Sequence, residues 1–319
     1  MSSEPDFIDW VRARQSSSAQ VLLPAGDDLA ILKMSADDLL LVGVDQVLDG
    51  VHFDSRLHGP ELIGRKAMNR NLSDCAAMAC LPTIALVCVA LPKGIGEDYA
   101  RRLYDGIRIA GEAFDCQIVG GDTGSWDRAL VVSVTILGRS AGVTPVRRSG
   151  AQPGDHVYVT GPLGGSITAR HMTFTPRVRE ARALAQQHTI TSMIDLSDGL
   201  SRDVAHIAKE SRVGIRLESR LIPIHEDVNR LADARSPIEH ALHDGEDYEL
   251  CFTAAPGVSA AIRVGTVFAI DDVVDQDADQ DADQDVDHDV DHSVERAGAP
   301  SGVWLDDRPL TPGAFAHVF

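Results

Sequence analysis

Residues 61–92 read ELIGRKAMNRNLSDCAAMACLPTIALVCVALP, and the change of pattern inside this stretch decides the fold class. Glu61–Ala79 predicts a helix that stops before Pro82. Thr83–Leu91 is a short, almost wholly apolar run and predicts a buried strand. Working outward, Glu97–Phe114 predicts a second helix, and Gln117–Val119 and Leu130–Leu137 predict strands flanking a loop, GGDTGSWDR. Upstream, Ala30–Met34 and Leu39–Val44 predict strands either side of an Asp-rich turn, and residues 6–14 a short amphipathic helix. Strands alternating with helices indicate an α/β or α+β protein.

The segment GRSAGVTPVRRSGAQPG at 138–154 is rich in Gly, Pro and Arg and marks the expected domain boundary, giving domains 1–140 and 141–319. Beyond it, strands are expected at His156–Thr160, Ser192–Asp195, Gly214–Leu217, Glu249–Thr253 and Ile262–Phe268. Helices are expected at Arg177–Gln187 and Leu200–Ser211, and VWLDDRPL reads as a hairpin turning at Asp306–Asp307. Residues 271–297 contain an alternating Asp tract whose like charges repel, so an exposed disordered insertion is expected there.

The net charge of −19 speaks against sequence-independent nucleic-acid binding, which needs cations on the protein. Eleven of the acidic residues are Asp within 271–292, and without them the charge is −8, ordinary for an enzyme. The longest apolar run, Leu81–Pro92, is twelve residues, too short to span a bilayer. The acidic start MSSEPDFIDW lacks a signal-peptide pattern. Five cysteines without a CxxC motif read as buried free thiols in a reducing cytoplasm.

Several carboxylates stand where a solvated charge is poorly placed. They are Asp27 and Asp28 in AGDDLAIL, Asp45 closing LLLVGV, Asp74 in NLSDCAAMA, Asp122 in IVGGDTG, and Asp195 and Asp198 in MIDLSDGL. Each has a structural alternative: a turn at Asp27 or Asp28, an Asx turn at Asp122, an N-cap at Asp198. Taken together they would repel one another unless cations intervene, and hard oxygen donors without clustered His or Cys select Mg²⁺ over zinc. Asp45, Asp74 and Asp122 are expected to share one such site. Gly120–Gly121 lets backbone amides approach an anion, and the Arg147–Arg148 pair suits phosphate. GPLGGS lacks the lysine of a Walker A loop.

In this order, GDDLAIL, VDQVLDGVHF, LSDCAAM, GGDTG, RRSGAQPGD, MIDLSDGLSRD and HDGEDYEL resemble the thiamine-monophosphate kinase family of the aminoimidazole-ribonucleotide synthetase-like superfamily. The resemblance covers about residues 20–270 and resumes faintly at PGAFAHVF. It implies an N-terminal dimer-forming α/β domain and a C-terminal α+β domain, with ATP and several Mg²⁺ between them. The reaction it implies is transfer of the γ-phosphoryl group of ATP to thiamine monophosphate in a cytoplasmic homodimer. Carried over by motif, the metal ligands are Asp28, Asp45, Asp74, Asp122, Asp195 and Asp198. Gly121, Asp122, Arg148 and Ser197 contact ATP; His52, Glu246 and Phe315 contact the acceptor; Asp122 and Arg148 carry the catalytic electrostatics. Gly43 and Val44 stand where the family has hydroxyl residues, and the 165–177 segment is shorter than the family pattern. Two alternatives stand beside this reading: another ATP-using synthetase of the superfamily, or a non-catalytic nucleotide-binding homologue.

Overall fold

A computed structural model describes residues 21–23, 27–35, 38–270 and 302–311. The expected helix at 6–14, the acidic insertion at 271–297 and Phe315 lie outside the described residues. Two sheets divide the chain. Strands β1 (Val21–Leu23), β2 (Ala30–Lys33), β3 (Leu39–Leu48), β4 (Leu81–Pro92), β5 (Gln117–Trp126) and β6 (Val131–Arg139) form a sheet ordered β1-β2-β3-β6-β4-β5. Among the described residues of this sheet only β4 and β5 pair in parallel. Such a pair needs a crossover, and α2 (Glu97–Glu112) supplies it.

The second sheet contains β7 (His156–Val159), β8 (Ile190–Asp195), β9 (Gly214–Leu217), β10 (Leu250–Ala254), β11 (Ile262–Phe268), β12 (Val303–Leu305) and β13 (Arg308–Pro309). Its order is β13-β12-β9-β11-β7-β10-β8. Helices α3 (Val178–Gln187), α4 (Leu200–Ser211) and α5 (Pro237–His243) belong to this half. The VWLDDRPL hairpin forms as expected, with Trp304 opposite Pro309. The α5 helix was not expected from the sequence; a capping box between Ser236 and Glu239, followed by Pro237, sets its start.

The helix that opened the sequence argument, α1 (Pro60–Ala77), lies at the junction of the two halves. Its buried residues include Ile63, Met68, Leu72 and Ala76 but also Lys66, Asn69, Asn71 and Ser73, so it is enclosed on most of its circumference. One hydrophobic core runs through both halves: Leu41, Val134 and Ile136 from the first sheet join Tyr158, Met193 and Phe252 from the second. A smaller core around Val204, Ile207, Ile215 and Val264 serves the second half alone.

GGDTG was expected in a loop, but β5 runs unbroken through it, pairing Leu86 with Gly120, Cys88 with Asp122 and Pro92 with Trp126. The ladder offered by β4 overrides the low strand preference of two glycines. Gly121 is specifically required there. Its φ is 154°, and a Cβ would sit 1.8 Å from the carbonyl oxygen of Val87. Among the cysteines, Cys75, Cys80, Cys116 and Cys251 are buried free thiols as expected, whereas Cys88 is exposed.

Helices α1 and α2 approach through two glycines. A Cβ at Gly64 would lie 2.2 Å from the Leu103 carbonyl oxygen, and one at Gly106 would lie 2.1 Å from that of Glu61. Both obstacles are backbone, so the helices must separate to admit a methyl group. Gly106→Ala is therefore expected to destabilise the fold by about 1–3 kcal/mol, measured by thermal unfolding. Gly124→Ala, where no atom lies within 4 Å of the added Cβ, is the control expected within about 0.5 kcal/mol of the parent.

Candidate active site

Three elements distant in sequence deliver carboxylates to one place. Asp28 precedes β2, Asp74 lies on the last turns of α1 and Asp195 ends β8. Among the described residues, these three each offer a carboxylate oxygen, and the oxygens all lie within 4.8 Å of one another. Ser73 Oγ donates to Asp195 at 2.6 Å. Arg148, on the segment joining the two halves, grips Asp28 with two bonds of 3.1 and 2.9 Å. Its backbone N–H donates to Asp27 at 3.0 Å.

The electrostatics show how much charge is concentrated here. Burial, reinforced by repulsion from Asp28, pushes the pKa of Asp195 up to about 7. Burial and then Asp28 do the same to Asp27, also to about 7. Asp74 rises well above the carboxylate range through burial and the fields of Asp45, Asp195 and Asp28. Asp45 itself is held by Arg70 Nε at 2.9 Å. A set of oxygen donors this close, with carboxylates driven toward protonation, fits a hard divalent cation.

Of the six expected metal ligands, the structure thus brings Asp28, Asp74 and Asp195 together, with Asp45 as an electrostatic neighbour. Asp198 follows on the same loop; its N–H donates to Asp203 at 3.0 Å, and the helix cap is Gly199 rather than Asp198. Asp122 is not part of the triad, so the expected shared site of Asp45, Asp74 and Asp122 is replaced by one built on Asp28, Asp74 and Asp195. The register nevertheless links β5 to it. Asp45, Val134, Val87 and Gly121 form one cross-strand row, so Gly121 stands three strands, about 14 Å, from Asp45. Beside Gly121 and Asp122 opens a pocket of about 330 Å³ between the sheet and α2, with apolar walls from Val89, Leu103, Ile107 and Ile118 and with Tyr104.

A second cluster adjoins the first. Glu246 and Tyr248 both adopt left-handed backbone, φ 53° each, and the Glu246 N–H is anchored on the Ser197 carbonyl at 2.8 Å. Non-glycine residues in this region are strained and persist only where neighbours fix them. The Glu246 carboxylate meets Lys66 at 2.8 Å and His171 at 3.1 Å. Burial alone would raise its pKa, but hydrogen bonds from His171 and Lys66 and the field of Lys66 hold it at about 2. His52 is half-buried, and its carbonyl accepts from the same Lys66 at 2.5 Å. Lys66, Arg70, Ser73 and His171 escaped the sequence reading. The first three recur on one face of α1 at i, i+4 and i+7, a polar stripe at helical spacing that could have exposed them.

The AIR synthase related protein N-terminal domain family matches residues 26–140. A thiamine-monophosphate kinase of Rhodopirellula baltica is 41% identical over 269 residues, covering 82% of this chain and 84% of the relative. The chain belongs to the thiamine-monophosphate kinase family. The Escherichia coli kinase is 32% identical, covering 77% of this chain and 80% of the relative. A solved structure, AaThiL complexed with AMPPCP and TMP, superposes with a TM-score of 0.80 at 27% identity, covering 99% of this chain and 97% of that one. These likenesses agree with the two-sheet α/β architecture, and kinase membership decides against the synthetase and non-catalytic alternatives.

The charge cluster has a measurable consequence for a thiamine-monophosphate kinase kept free of divalent ions. Because Asp195 has a folded pKa near 7 against an ordinary 3.8, the folded state holds the proton more tightly. Its contribution to stability therefore falls as pH rises from about 4 to about 7. In EDTA, Asp195→Asn is expected to raise the unfolding free energy by on the order of a few kcal/mol at pH 8, and by less at pH 5. Thermal unfolding at the two pH values measures this.

Proposed function

We propose that this kinase works with Mg²⁺ held by Asp28, Asp74 and Asp195, with Asp45, Asp122 and Asp198 completing the ligand set around bound nucleotide. The single observation that carries this reading is the convergence of three carboxylates within 4.8 Å beside a paired arginine. The reaction is ATP-dependent phosphorylation of thiamine monophosphate. The adenine of ATP enters the apolar pocket flanked by α2, whose size suits a purine. Its phosphates then pass Gly121, where no side chain stands in the way, toward the carboxylates.

The attacking group is a phosphate oxygen of the acceptor, already anionic near neutral pH, so no strong general base is required. A new bond forms from that oxygen to the γ-phosphorus while the bond to the β-phosphate oxygen breaks, leaving ADP. The main obstacle is repulsion between two anions, and Mg²⁺ when bound supplies charge neutralisation to both. Arg148 serves the same end with a guanidinium fork that already lies at the cluster. Ser197 sits between Asp195 and the strained Glu246 turn and contacts ATP, while His52, Glu246 and Phe315 receive the acceptor. The cationic thiazolium ring of that acceptor suits a carboxylate held fully ionised, as Glu246 is.

The working unit is a cytoplasmic homodimer in this proposal. Val44 and Leu86 stand exposed on the face of the first sheet opposite its buried row, flanking Thr135 in one cross-strand row. A sheet with one covered face leaves such a surface for a second copy.

The test is coupled ADP release with thiamine monophosphate, thiamine or no acceptor, where turnover is expected only with the monophosphate. Asp122→Asn separates a metal role from a turn role, since Asn keeps the size and removes the charge. With saturating Mg²⁺ and ATP it is expected to lower kcat by roughly a thousandfold, a cost of about 4 kcal/mol, with an unchanged circular dichroism spectrum. A folded variant above about a tenth of parental kcat contradicts the metal role, because that is no more than about 1.4 kcal/mol.

A further inference from the structure

Among the described residues, Lys66 is the largest fully buried side chain, with no solvent exposure. An ammonium has three N–H donors and no acceptor. Lys66 Nζ has three partners: the His52 carbonyl at 2.5 Å, the Glu246 carboxylate at 2.9 Å, and at 2.8 Å the Nδ1 of His171, which accepts from Lys66 only in the tautomer that cannot donate to Glu246. With His171 donating to Glu246, the His52 carbonyl and the two Glu246 oxygens, at 2.8 and 2.9 Å, still give each of the three donors an acceptor within the protein. The three partners come from three segments. His52 lies just after β3 in the first half, His171 lies in the short 3₁₀ turn Arg170–Met172, and Glu246 lies in the turn before β10 in the second half.

We propose that Lys66 is a positioning residue for the acceptor substrate, fixing His52 and Glu246 relative to one another across the two halves of the chain. This rests on the reading of His52 and Glu246 as acceptor contacts. The neighbourhood supports it. Asn69, one residue short of a turn further along α1, donates to the Phe174 carbonyl at 2.7 Å. Arg65 reaches the Thr173 carbonyl at 2.7 Å, so α1 already holds the 170–174 segment through other bonds. Phe174 stacks on Tyr248 with ring centroids 3.9 Å apart. The 170–174 segment is thus secured without Lys66. The Glu246 carboxylate also meets His171 at 3.1 Å, the Tyr248 hydroxyl at 3.4 Å and Arg70 at 3.8 Å, and what Lys66 adds is the link from that carboxylate to the His52 backbone. Burial pulls the Lys66 pKa down to about 8, opposed by Glu246. The nucleotide pocket beside α2 includes none of these groups.

The consequence is a split between the two substrates. Lys66→Met keeps the length of the side chain and removes the donors. It is expected to raise KM for thiamine monophosphate at least tenfold, with KM for ATP and the affinity for AMPPCP within about twofold of the parent, and kcat reduced less than KM is raised. Lys66→Gln, which keeps two donors without the charge, is the second variant and is judged by the same criterion. Lys66→Ala with added ethylammonium is expected to recover acceptor KM in a saturable way, which a merely structural role would not produce. An unchanged acceptor KM, an equal loss of affinity for both substrates, or failure of both the Met and Gln variants to fold overturns the proposal. If the parent enzyme fails to phosphorylate thiamine monophosphate in the same assay, it is the functional reading that fails. A parent that turns over beside a Lys66→Met variant with unchanged acceptor KM overturns the positioning role alone.

Discussion

Mutual repulsion among carboxylates gathered at the junction of two sheets is the constraint on which the rest of the structure depends. Asp28, Asp74 and Asp195 come from a strand approach, a helix and a strand end, and their oxygens lie within 4.8 Å of each other. Buried like charges at that spacing cost free energy unless they are protonated or countered by cations. The fold meets part of this cost with its own groups: Arg148 on Asp28, Ser73 on Asp195 and Arg70 on Asp45. What remains unmet is a demand for positive charge. In the proposed mechanism that demand is what draws a divalent cation and its nucleotide to this place.

Helix α1 makes this arrangement possible. It is buried against both halves of the chain, and its polar stripe is directed at the functional groups rather than at solvent. Ser73 and Asp74 serve the carboxylate cluster, Arg70 joins Asp45, and Lys66 serves Glu246 and His52. The single helix therefore sets the distance between the carboxylate cluster and the Glu246–His52 group, the proposed metal and acceptor ends of the site. The close approach of α2 through Gly64 and Gly106 fixes α1 on its other flank, so the loops that carry Asp28, Arg148 and Glu246 gather around a rigid helix.

Much of this was legible in the sequence because burial leaves a periodic trace. The α1 and β4 run was visible from the switch of pattern at Pro82, and α4, β9 and β11 matched their expected bounds. The motif aspartates were legible because a charge at the end of an apolar strand is conspicuous. Three things were not. Strand β5 was hidden by its glycines, since pairing with β4 rather than local preference makes it a strand. Which aspartates converge depends on tertiary contacts between residues 46 to 167 positions apart, and these bring Asp28 rather than Asp122 into the tight group. The ion pairs of Lys66 were hidden because a lysine in a helix ordinarily faces solvent, and the distant segments that carry His52, His171 and Glu246 close over this one. Gly43 also gains an explanation: a Cβ there would lie 2.4 Å from Leu29, so the space where the family carries a hydroxyl residue is filled here by a leucine.

In the proposed mechanism the three carboxylates form a cation site, and Arg148, paired with Asp28 in the ligand-free protein, turns to the phosphates. Crystals grown with Mn²⁺ and AMPPCP, measured at the manganese edge, test it directly. The account predicts an anomalous peak about 2–2.5 Å from oxygens of Asp28, Asp74 and Asp195, with the Arg148 guanidinium moved from Asp28 onto a phosphate. Nucleotide bound with no peak among these carboxylates, and Arg148 still paired with Asp28, would contradict it.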